Sequence, residues 1–262
     1  MRNAGKIALG MLAAAIAVGG CASNSKTGDL EAARAALVAQ DYDEAQSRAQ
    51  AYLRQEPAGK RAAEAYYLKG RAIEDRPART QPDAQANLQQ ARLAYVAALA
   101  AKPADQKLEG LIRASLTDVA FWQEDFTTAA EQGLAGQALL EPGEDRAWTA
   151  YRAGVALKRL GNFVDGDRTL ADVVRDFPGT RPATFAEARL GMNAFYVQLG
   201  TFSVQRLADQ AAAAAKAAGF AAAVKPNGPQ TTVFAGPFKT FAEAKSARDR
   251  LSGRFGGAQV LP

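Results

Sequence analysis

The sequence predicts two domains of different class: an all-α helical array, then a small α+β unit of βαββαβ order with an antiparallel sheet and two helices on one face. Three observations predict it. Helical apolar periodicity runs from about residue 29 to residue 193. Within it, prolines fall at a nearly constant distance behind small residues. The period then changes at "AFYVQLGTF" (Ala194 to Phe202), where apolar and polar side chains alternate as in a half-buried strand.

Composition narrows the function before any motif is considered. The 262 residues include no histidine and a single cysteine. A histidine general base, a Cys–His dyad and a zinc site of the usual nitrogen and sulfur ligands are therefore excluded, and no cofactor is expected. The 27 acidic residues leave a carboxylate pair open, but on so helical a chain they read as solvated faces. A non-catalytic protein is the expectation.

The first twenty residues read as a targeting segment, not as part of the fold. Arg2 and Lys6 precede the apolar stretch "IALGMLAAAIAVGG", which is too short and too rich in Gly and Ala for a membrane span. It ends at "VGGC" (Val18 to Cys21), which resembles a bacterial lipobox. The resemblance implies cleavage before Cys21 and a lipid on its sulfur, with residues 21–28 as a tether. Multiple acyl chains anchor stably, since each buried CH2 contributes about 0.8 kcal/mol. Ala22 stands where the sorting rule for retention in the inner membrane has aspartate, so the resemblance implies the outer membrane, facing the periplasm. An ordinary secretory leader with an incidental cysteine is the alternative.

Residues 29–193 show internal self-similarity. "QDYDEA" (Gln40 to Ala45) recurs as "QEDFTTA" (Gln123 to Ala129) and "LGNFVDG" (Leu160 to Gly166), each with an aromatic residue three positions before a small one. A proline follows the small residue after twelve positions at Ala45–Pro57, Ala91–Pro103 and Gly166–Pro178, and after thirteen at Ala129–Pro142. Small residues let paired helices approach, and proline ends the second helix of each pair. Gly70 and Gly154 on first helices, with Ala91 and Gly166 on second helices, fit the close approach. The pattern resembles the tetratricopeptide repeat, with four units up to residue 178 and a cap near 181–192. "DRPARTQPDAQAN" (Asp75 to Asn87) is expected to form a long loop. A generic helical bundle is the alternative. The resemblance implies a platform for an unidentified envelope protein, as in periplasmic lipoproteins of envelope assembly. Tyr66, Tyr67, Trp122, Trp148 and Tyr151 sit at helical spacing and read as core, so no site is assigned there.

Residues 194–262 read as strand, helix, strand, strand, helix, strand. The first helix is expected to be capped by Ser203 and closed at Gly219. "FAAAVK" and "TTVFAG" are strands joined by "PNGP", a hairpin signal. The second helix opens on the capping box Thr240-x-x-Glu243 and stops at Gly253. "AQVLP" supplies the last strand. "FYVQLGTF" and "FAGPF" (Phe234 to Phe238), with this separation, resemble the sporulation-related (SPOR) domain. That resemblance implies binding of peptidoglycan, in particular glycan strands stripped of their stem peptides at division septa, on the open face of the sheet.

Alternation places Val197 and Leu199 toward the helices, with Tyr196 and Gln198 outward; on the third strand Thr232 and Phe234 point outward, opposite Val233 and Ala235. An amide that donates and accepts, beside a flat ring, suits a sugar chain. Gln198 matches the glutamine characteristic of the family. Thr231 and Thr232 depart from the aromatic and basic residues often found on that strand, and Phe202, Gly236 and Pro237 read as structural. Residues 194–262 hold eight Lys and Arg against three Asp and Glu, whereas residues 22–193 hold 22 against 24. A basic module suits an anionic polymer. RNA is disfavoured by the export signal and by the absence of a basic-Gly-aromatic run, so no nucleic acid partner is expected. The expected function is that of an envelope lipoprotein binding peptidoglycan through its C-terminal domain and protein partners through its repeats. The alternatives are an assembly scaffold with a degenerate module and a regulator of a peptidoglycan hydrolase.

Overall fold

A computed structural model describes residues 25–261. The expected leader and the expected lipidation position, Cys21, lie outside the described residues. Helices α1 (Ser25–Val38), α2 (Tyr42–Gln55), α3 (Ala62–Asp75), α4 (Gln81–Ala100), α5 (Gln106–Trp122), α6 (Phe126–Gln137), α7 (Glu144–Arg159), α8 (Phe163–Asp176) and α9 (Arg181–Glu187) follow one another along the chain. Each packs on its sequence neighbours, and the odd-numbered helices also pack on one another from α1 to α9. Among the described residues no helix is long and apolar enough to cross a membrane.

The repeated motif is the turn within three of the helix pairs, α1–α2, α5–α6 and α7–α8. Gln40, Glu124 and Gly161 take φ of +60°, +61° and +86°, which reverses the chain immediately before the next helix. Asp41 and Asp125 follow and accept from the backbone N–H of Glu44 and Thr128, capping α2 and α6. Asn162 stands at the same place before α8 without a side-chain cap. Pairs then close over small residues. A Cβ at Gly154 would lie 2.8 Å from Leu170 Cγ, and Ala91 is fully buried. Tyr67, Trp148 and Tyr151 are buried as expected, whereas Trp122 is 42% exposed.

The expected loop at Asp75–Asn87 is mostly helix. The connection is only residues 76–80, after which Thr80 and Asp83 form a capping box and α4 runs from Gln81. Pro82 misleads because proline is tolerated in the first turn, where the N–H it lacks has no intrahelical partner. The cap is also shorter than expected, since helix α9 stops at Glu187.

Charged groups are buried inside the array. Tyr95 Oη donates to Glu74 Oε2 at 2.5 Å, Arg71 pairs with Asp75 at 2.7 Å, and Arg152 pairs with Asp118 across α7 and α5 at 2.7 Å. Burial pushes the Glu74 carboxyl up to about 8, with the Arg71 guanidinium acting the other way, and burial pushes Asp145 up to about 6. A carboxyl whose pKa is higher folded than unfolded holds its proton more tightly in the folded chain. Its contribution is complete below the ordinary carboxyl value of 4.5 and is lost as the pH rises through about 8. The array is therefore expected to melt at a higher temperature at pH 5 than at pH 8. Glu74→Gln should flatten that difference in circular-dichroism melts; an unchanged slope would remove Glu74 as its source.

After α9 come β1 (Phe195–Phe202), α10 (Gln205–Ala217), β2 (Ala222–Asn227), β3 (Gln230–Phe238), α11 (Phe241–Ser252) and β4 (Gln259–Leu261). The sheet order is β2-β3-β1-β4, antiparallel throughout. Helices α10 and α11 cover one face, burying Val197, Leu199, Val233 and Ala235 against Ala208, Ala211, Ala244 and Leu251. Each fully buried Val or Leu side chain contributes about 1.5–3 kcal/mol. The capping box of Thr240 and Glu243 forms as expected, and Gly253 caps the helix end. Ser203 does not cap α10. Val204 occupies that position, and the Ser203 hydroxyl instead accepts from Gln230 Nε2 at 3.2 Å. Asn227 pairs with Gln230, which moves the hairpin turn one residue on to Gly228 and Pro229, with Gly228 at φ +60°.

Candidate functional site

The face of the sheet away from α10 and α11 carries no helix of its own. Its central residues follow from register. Gln198 of β1 pairs with Phe234 of β3, and Phe234 pairs in turn with Ala223 of β2. Thr232 pairs with Lys225 on one side and with Thr201 on the other. Strand alternation then brings the side chains of Tyr196, Gln198, Thr201, Lys225, Thr232 and Phe234 to one surface.

Tyr196 and Phe234 form an edge-to-face pair, with centroids 6.5 Å apart and planes at 77°. The ammonium of Lys225 lies 5.8 Å from the Tyr196 ring and 5.7 Å from the Phe234 ring, so one cation is held over both. Gln198 Nε2 makes a long contact of 3.4 Å to Thr201 Oγ1. That leaves most of the hydrogen-bonding capacity of the Gln198 amide to solvent or ligand. The result is a half-exposed aromatic pair flanked by an amide and a cation.

The expected residues therefore do not play equivalent parts. Tyr196, Gln198 and Phe234 come together at the surface. Thr232 lies on the same face but beneath it, only 5% exposed. Its hydroxyl is 3.0 Å from Thr201 Oγ1 and accepts from Asn227 Nδ2 at 3.4 Å. Thr231 points elsewhere and donates to Gln205 Oε1 of α10 at 3.0 Å. Both threonines on the third strand are thus engaged in holding strands and helix together. Phe202 packs on the module core, as expected of a structural residue. Gly236 and Pro237 fall where the β1–β3 register shifts between Phe195 and Val197.

Two residues of this surface escaped the sequence reading. Lys225 is the basic group absent from the third strand, supplied from β2 instead; the hairpin signal that fixes β2 against β3 was the available clue. Thr201 reaches the face because Leu199 and Gly200 together stand opposite Val233, a bulge that resets the alternation. Gly200 was its only trace in the sequence.

This geometry, on this strand order, agrees with a comparison against known families: the SPOR domain family matches residues 191–262. Residues 191–262 are a SPOR domain. No curated protein matches the chain. A SPOR domain is a binding module, not a catalytic one, and it binds peptidoglycan in cell division. SPOR domains occur in proteins of the bacterial cell envelope. In this SPOR domain the open face joins two rings, one amide and one ammonium within one continuous surface.

Proposed function

We propose that the protein is a non-catalytic envelope lipoprotein whose SPOR domain grips glycan strands stripped of their stem peptides at the division septum. The observation that carries the reading is the Tyr196–Phe234 pair with Lys225 over both rings and Gln198 beside them. Rings of this kind receive the CH-bearing faces of sugars, and the Gln198 amide serves hydroxyl and N-acetyl groups. Removing a stem peptide frees the lactyl carboxylate of muramic acid, and Lys225 supplies a cation for it. That gives a physical reason to prefer stripped strands over intact ones.

In this reading the chain divides at residue 193, lipid on Cys21 holds it in the outer membrane facing the periplasm, and the array acts as tetratricopeptide-like repeats toward an envelope protein. The stacking of odd-numbered helices from α1 to α9 supports the repeat reading. The binding claim is tested by co-sedimentation of the processed chain with purified sacculi, intact and amidase-treated. Greater retention on amidase-treated sacculi is expected. Failure to sediment with either would leave the array as the working part and favour the scaffold reading.

Lys225→Ala should weaken retention several-fold and reduce its sensitivity to salt, because an exposed cation acts through screened attraction. The melting temperature should fall by no more than a few degrees, the loss of exposed cation–π contact. Binding assays at low and high ionic strength check this, and equal salt sensitivity of the variant and the parent chain would remove Lys225 from the site.

A further inference from the structure

The helical array and the SPOR domain meet over an aromatic seam. Phe163 of α8 packs on Phe195, Phe195 on Phe241, and Phe241 on Phe126 of α6, all with centroids less than 6 Å apart. Within the seam lies a cavity of about 150 Å³, lined by Lys158, Arg159 and Arg189 from the array side and Met192, Phe195 and Phe241 from the other. A cavity of about this size is large enough for a benzene ring.

Its charge is one-sided, because no acidic side chain lines it. Lys158 is already satisfied by Asp167 and by the Arg189 carbonyl, and Arg189 donates to the Phe185 carbonyl. Arg159 is different. Its guanidinium sits 5.0, 4.8 and 4.5 Å from the rings of Phe121, Phe126 and Phe241 and meets no hydrogen-bond acceptor among the described residues. The acid nearest in effect, Glu124, is itself paired with Lys245. Burial works against the Arg159 charge, and so does Arg189, while Glu124 favours it. Cation–π contact offsets part of that cost but pairs none of the N–H donors with a protein acceptor.

We propose that this cavity binds a small organic carboxylate carrying a compact apolar group, with the Arg159 fork pairing the carboxylate and Met192, Phe195 and Phe241 enclosing the rest. A planar guanidinium matches a carboxylate in two-point geometry, which an ammonium does not. The open face of the sheet contributes none of these residues, so the cavity is separate from the proposed glycan surface.

Met192 makes the test direct, being the only methionine among the described residues. The full chain, labelled with [13C]methyl-methionine, is titrated with benzoate, isobutyrate, N-acetylalanine (standing for a peptide terminus) and neutral benzamide. A saturable shift of the Met192 methyl signal is expected with at least one carboxylate, at a Kd of about 1 mM, and not with benzamide. The carboxylate that binds tightest tells a free acid from a chain terminus. Arg159→Lys should weaken binding about tenfold. Because Arg159 also holds the seam, Ala194→Leu provides a second variant that fills the cavity and leaves Arg159 in place. That variant should abolish the shift. A Met192 signal unmoved by every carboxylate, moved equally by benzamide, or unaltered in its response in Ala194→Leu would overturn the proposal.

Discussion

Truncating both rings of the open face, Tyr196→Ala with Phe234→Ala, is expected to abolish retention on sacculi while lowering the melting temperature by about 10 °C and leaving the chain folded. The two rings are half-buried, touch each other edge to face and lie beneath Lys225, so the fold loses an aromatic contact of about 1 kcal/mol, two exposed cation–π contacts and the buried half of each ring. The ligand loses both stacking surfaces. At about 1–1.5 kcal/mol each, that is a loss of about 30- to 150-fold in affinity. Gln198→Ala isolates the amide: its one contact, to Thr201, is long, so truncation should cost about tenfold in binding and almost nothing in stability. Retention of the double variant at parental strength would move the glycan site off this face. Septal recruitment of a fluorescent fusion provides the same comparison in cells.

Gly70→Ala is expected to be among the most damaging single methyl additions in the array. A Cβ there would lie 2.7 Å from Tyr95 Cδ1 and 2.9 Å from Cζ. Tyr95 cannot yield: it is fully buried, and its hydroxyl is held by Glu74. Alanine would gain about 1 kcal/mol of helix propensity, but overpacking against a fixed ring costs more. The net expected loss is about 2–3 kcal/mol, or about 5–10 °C in melting temperature. Gly257→Ala, where the added methyl meets nothing within 4 Å, is the matched control and should melt with the parent chain. Equal melting of Gly70→Ala and parent would mean that α3 and α4 do not close on each other at this point.

The division of labour between array and module was legible because it depends on period. A helix that buries one stripe and a strand that buries one face must repeat their apolar residues at different intervals, whatever they pack against. The order of the six C-terminal elements, the capping box at Thr240 and the inward direction of Val197 and Leu199 all followed from that local chemistry. So did the turn motif of the array, although its aspartate and left-handed residue became intelligible only once the caps were in view. Pro82 shows the limit of local reading. The same residue ends a helix interior and opens a helix, and only its position relative to Thr80 distinguishes the two.

By itself the sequence determined which elements form and which face of β1 is buried, since backbone preference and side-chain alternation are short-range. Tertiary structure alone decided how residues from different strands share a surface. The register of β2 on β3 places Lys225 over rings from β1 and β3, and the Leu199–Gly200 bulge brings Thr201 up beside Gln198. It also decided that Thr232 lies beneath that surface and that Arg159 packs against three phenylalanines from α5, α6 and α11. These depend on contacts between residues as far apart in sequence as Arg159 and Phe241, and in the sheet one residue of register changes every partner.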